Sequence, residues 1–126
     1  MIKLTDDNKK TWLDALAKMP KTCFVLRSNI GYCCLGVAGK VLLDMTEEEL
    51  RTNKLDEALA QNSVNRNFKE VLDQPTSSEM LTAYNIPGAI TSFKPSLHIK
   101  VGDCLTAIND STTTFDEVIN VITTYL

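Results

Sequence analysis

The chain is poor in the residues that most simple functional readings need. It has one histidine, His98, so a site built on several imidazoles is excluded. Basic runs are missing: Lys9-Lys10 is the only adjacent basic pair, and thirteen basic residues stand against sixteen acidic ones for a net charge of −3. Affinity for phosphate backbones comes from clustered Lys and Arg, so a dedicated nucleic-acid binder is disfavoured. Long apolar runs are missing too. The longest biased stretch, Tyr32 to Leu43, contains Gly36, Gly39 and Lys40 and is too short to span a bilayer. Met1 to Asp7 turns acidic where a signal peptide needs an apolar stretch, so a cytoplasmic address is expected. There is no P-loop, no Gly-rich dinucleotide fingerprint and no Gly-x-Ser-x-Gly elbow. Internal repeats, linkers and low-complexity segments are lacking as well.

What is present is ordinary for one globular domain over residues 1–126: 44% apolar and 23% charged residues in a length near the commonest domain size. The four cysteines, Cys23, Cys33, Cys34 and Cys104, come without a secretory signal. They read as reduced, mostly buried thiols rather than a disulfide framework. Adjacent Cys33 and Cys34 lack the C-x₂₋₄-C spacing of a zinc site, so neither a metal nor a cofactor is expected.

Thr5 is placed to cap a first helix, with Asp6 and Asp7 at its positive end and Trp12, Leu13, Leu16 and Met19 on one face until Pro20. Cys23-Phe24-Val25-Leu26 is a β-favouring run, and Asn29-Ile30-Gly31 a turn. Tyr32 to Leu43 reads either as a strand passing into a helix or as a buried helix throughout. Thr46 and Glu49 fit a capping box, and Leu50, Leu55, Ala58 and Leu59 form a stripe interrupted near Thr52-Asn53. Ser63 is a cap for a helix carrying Val64, Phe68, Val71 and Leu72. Ser78 is one for a short helix through Tyr84. Ala89 to Val101, with Pro95 inside it, suggests an edge hairpin or extended loop, and Gly102-Asp103 a turn. Thr114 and Glu117 form a second capping box ahead of Phe115, Val118, Ile119, Ile122 and Leu126. The expected fold is α+β: helix-rich, with a small antiparallel sheet or hairpin.

Trp12 to Leu16, the Gly31-Tyr32-Cys33-Cys34-Leu35-Gly36-Val37 segment, and Ile108-Asn109-Asp110-Ser111 followed by Phe115 to Ile119 together resemble a family of small tailed-phage proteins. That family has a tryptophan helix, a YCCLGV segment and a C-terminal LNDS segment leading into a helix. The match covers roughly the first third and last fifth of the chain. It departs at Thr112-Thr113-Thr114, where the family has Gly, and at Ile108, where it has Leu. The resemblance implies a phage origin and action in the cytoplasm of an infected host cell, and it transfers no catalytic residues.

Asn109-Asp110-Ser111 is the sharpest polar cluster, read as a turn ahead of a helix N-terminus that could receive an anion. Arg27, Lys94 and Lys100 are the cations expected to join it. The function expected is non-enzymatic: a binding protein that inhibits or sequesters a host component, either a defence or regulatory protein or a small anionic signalling molecule. Self-association is a further expectation. The enzymatic alternative is a small hydrolase or nuclease assembled from His98, Asp103, Asp110 and one cysteine.

Overall fold

Helix starts in this chain are set by short polar side chains that satisfy the free N–H groups of a first turn. In the computed structural model, which describes residues 1–61, 65–83 and 99–126 (without the side chains of 81–83), Thr5 Oγ1 accepts from the Asn8 amide and α1 runs Asp6–Leu16. Cys33 caps α2 (Cys34–Leu42) with its sulfur, which accepts from Gly36 N–H at 3.3 Å. Thr46 and Glu49 make the expected reciprocal box at α3 (Glu47–Arg51). Asn53, at φ 60, breaks the chain before α4 (Leu55–Gln61). Next come α5 (Arg66–Asp73) and α6 (Ser78–Ala83), where Ser77 rather than Ser78 holds the Met80 amide. The chain finishes with α7 (Val101–Ser111) and α8 (Asp116–Tyr125).

The described residues thus form eight helices and no strand, so the α+β expectation is corrected to an all-α arrangement. The β-favouring run Cys23 to Leu26 has no partner strand among them. Its backbone is spent on helix ends instead: Leu26 C=O accepts from Cys33 N–H at 3.1 Å. Only isolated bridges remain, Lys21 and Arg27 to Tyr32 and Pro75 to Lys100. Tyr32 to Leu43 resolves as a short lead-in and a buried helix. The hairpin placed at Ala89 to Val101 lies largely outside the described residues, as do Lys94, His98 and the Ser63 cap.

Two further turns are corrected. Gly102-Asp103 sits in the first turn of α7, and Asn109-Asp110-Ser111 is its last turn. At the start of α8, Thr114 Oγ1 accepts from Asp116 N–H at 3.3 Å, and Phe115 rather than Thr114 occupies the cap position.

Buried side chains form one continuous cluster. Helix α1 packs on α2 and α8, and α7 packs on α2, α5 and α8. Trp12 and Phe68 are fully buried and meet edge to face at 5.3 Å. Such pairs contribute about 1 kcal/mol beyond burial. Trp12 also donates its indole N–H to Cys34 C=O at 3.0 Å. The loop between α1 and α2 lies against α2 at Gly36, where a Cβ would come within 2.0 Å of the Leu26 carbonyl oxygen. Only glycine permits that approach. The loop is therefore pinned on the core rather than left in solvent. Among the described residues no helix is long and apolar enough to cross a membrane.

Candidate functional site

Asn109 is completely buried, and its side chain is fully used. Its Oδ1 accepts from the Cys34 amide at 3.0 Å, and its Nδ2 donates to Thr22 C=O at 3.0 Å and Asp110 Oδ1 at 3.3 Å. It thereby joins the end of α7 to the first turn of α2 and to the loop. Lys21 closes the same helix end: its ammonium donates to the carbonyls of Asn109 and Thr112, both at 2.7 Å, and to Cys23 Sγ at 3.1 Å. A cation there satisfies last-turn carbonyls and meets the negative end of the helix dipole. Ser111 turns its hydroxyl back to Ala107 C=O.

The geometry reverses the electrostatics expected for this segment. An anion is welcomed by a helix N-terminus, whereas Asn109, Asp110 and Ser111 occupy a C-terminus. Of the expected cations, the two that are described, Arg27 and Lys100, do not gather there either. Arg27 gives Nε to Glu47 Oε2 at 2.9 Å, donates to the carbonyls of Ser28 and Gly31, and lies 4.2 Å over the Tyr32 ring. Glu47 also receives Lys40 at 2.6 Å and the Tyr32 hydroxyl at 2.7 Å. With Lys40, Tyr32 and Arg27 all hydrogen-bonded to it, its carboxyl is pulled down to about 2. Lys100 precedes the first residue of α7, roughly 14 Å along the axis from Asn109 at 1.5 Å per residue. Lys94 lies outside the described residues.

Of the residues of the hydrolytic alternative, His98 lies outside the described residues. Asp103 and Asp110 share a side of α7 but stand about two turns apart. Burial raises the thiols of Cys33 and Cys34 and pushes Cys104 up to about 11, which keeps them protonated near neutrality. Among the described residues no group of three or more His, Cys, Asp or Glu could hold a metal ion.

What Asp110 does hold is the loop apex. Its Oδ1 accepts from Phe24 N–H at 2.8 Å, and Phe24 sits in the left-handed region at φ 70 and is 80% exposed. A bulky residue in that conformation carries strain, and an exposed aromatic ring there gains little from burial. Val25 and Ile30 are exposed on the same loop. Beside the apex opens a groove of about 220 Å³. Leu26, Cys33 and Leu35 form its buried floor, and Phe24, Val25 and Leu55 contribute further apolar surface. Asn53, Asp56, Thr106 and Asp110 supply the polar part of the lining.

Sequence reasoning missed this surface because it assigned Cys23 to Leu26 to a strand. Nothing in the local sequence marks it, since four residues between Thr22 and Arg27 are long enough for a strand and the partners that hold them lie on α2 and α7. No protein-family model, curated protein or solved structure matches the chain.

Proposed function

We propose that this is a non-enzymatic binding protein, encoded by a phage, that inhibits or sequesters a host protein in the infected cell. The setting comes from the resemblance of the Trp12, Tyr32 to Val37 and Ile108 to Ser111 segments to small phage proteins. The mode comes from one observation: Phe24 is held exposed, in a strained backbone conformation, by the Asp110 carboxylate. Stored strain at an exposed aromatic marks a contact residue, since aromatic anchors dominate the energetics of protein interfaces.

Between the two classes of target, a protein is favoured over a small anion. Among the described residues the groove lining carries carboxylates and no Lys or Arg, and the adjoining helix end is the negative one. Its volume also falls below the roughly 300–1,000 Å³ of small-molecule sites.

The test is capture from host-cell lysate on immobilised full-length chain, compared with the Phe24→Gly variant. A host protein retained in stoichiometric amount by the wild type and lost by the variant is the expected outcome. Equal retention by both, or no retained protein at all, overturns the reading.

A further inference from the structure

The groove restricts the chemistry of its guest more narrowly than the word protein does. Resting on the protein-binding reading above, we propose that it receives a large apolar side chain of the partner flanked by Lys or Arg, the cation being held between Asp56 and Asp110. The floor of Leu26, Cys33 and Leu35 is apolar and buried, and about 220 Å³ suits one anchoring side chain with its immediate neighbours.

The rim is acidic from two elements. Asp56 comes from the first turn of α4 and Asp110 from the last turn of α7, while Asp103 lies seven residues back on the same side of α7. Among the described residues neither Asp56 nor Asp103 enters an ion pair. Asp110 commits Oδ1 to the amides of Phe24 and Asn109, and no hydrogen bond among the described residues uses its Oδ2. The lysine bound to that helix end, Lys21, is tied to two carbonyls and does not line the groove.

Open carboxylates around an apolar floor attract a cation and repel phosphate. Nucleic acid and anionic membrane are thus poor occupants, and a basic, apolar stretch of protein is a good one. Arg fits best, because its planar fork can bridge two carboxylates and stack on the exposed face of Phe24.

The experiment selects short random peptides from a messenger-RNA-displayed library on immobilised full-length chain. The recovered peptides should share a large apolar residue with Lys or Arg within a few positions. A synthetic copy of the dominant peptide should bind Asp56→Lys about tenfold more weakly than wild type. It should bind Asp56→Asn with an intermediate loss, and Glu70→Lys like wild type. Glu70 is exposed on α5 and does not line the groove, so it controls for the same change in net charge.

Peptides without a basic residue, no enrichment over bare matrix, or equal losses in Asp56→Lys and Glu70→Lys overturn the proposal. Failure here is separable from failure of protein binding itself. Host-protein capture that depends on Phe24 yet is unchanged in Asp56→Lys removes the basic flank and leaves the binding reading standing. Absence of any capture removes both.

Discussion

Phe24 is the residue at which stability and recognition pull in opposite directions. An L-residue in the left-handed region costs roughly 1–2 kcal/mol, and a residue that is 80% exposed recovers little of it by burial. Phe24→Gly removes the steric cost, and the greater freedom of glycine in the unfolded chain takes back about 0.5–1 kcal/mol. The variant should therefore be more stable than the wild type by about 0.5–1 kcal/mol, a rise of roughly 3 °C in Tm for a domain of this size. Differential scanning calorimetry measures it, and a variant that melts below the wild type refutes the idea that the loop is strained. Glu47 is a different kind of residue, a partly exposed hub whose three partners come from a loop, the α2 lead-in and α2 itself. Exposed pairs of this sort contribute at most about 1 kcal/mol each, so its role is to orient Arg27 and Tyr32 rather than to hold the fold.

At the scale of elements, the joint between α7 and α2 is the part of the fold that depends most on one side chain. Asn109 supplies an acceptor to one buried amide and a donor to one buried carbonyl, and no other residue type offers both in that shape at that length. Asn109→Asp keeps the acceptor but opposes a carboxylate to Thr22 C=O inside the core. The expected loss is about 3–5 kcal/mol in urea unfolding, a large part of the 5–15 kcal/mol typical of a domain. A loss below about 1 kcal/mol would falsify the assignment of Asn109 as a structural joint.

The same joint explains which elements could be read in advance. Thr5, Thr46 and Glu49 act on amides three residues away, so their helix starts are visible in a short window of sequence. Asn109 acts on partners 75 and 87 residues away, and Phe24 is fixed from 86 residues away. A local reading of Asn-Asp-Ser gives a turn, because those residues favour turns when left to themselves. Here distant amides and Lys21 satisfy the segment as a helix end. The groove was hidden for the same reason, since its floor joins residues of the loop and of α2, and α4 and α7 complete the lining.

Taken as a whole, the molecule couples its surface charges to folding most visibly in acid. Glu47 is depressed to about 2 by Lys40, Tyr32 and Arg27, and Glu49 is lowered by its bonds to Thr46 in the capping box. A carboxylate whose folded value is depressed stabilises the fold above its unfolded value and loses that contribution as pH falls. The stability of the wild type should decline between about pH 4.5 and pH 2. Glu47→Gln should be less stable at neutral pH and converge on the wild type across that window. Trp12 is the only tryptophan and fully buried, so its fluorescence in urea titrations at stepped pH reports the transition directly. Parallel curves for the two proteins, with no convergence in acid, would contradict the linkage. The loop, α2 and α7 pack around one core, which makes the groove an extension of that core rather than an appendage.

The adjacency of Asn109 and Asp110 has a consequence for how such a surface can change over time. One residue closes the core and the next holds the Phe24 apex, so a substitution at either disturbs folding and contact together. Freedom to vary is displaced to positions that touch the groove or flank the apex without carrying the joint or a left-handed backbone: Val25, Ile30 and Asp56. A lineage that has to follow a changing target would rewrite those three positions first and leave the Asn-Asp pair in place.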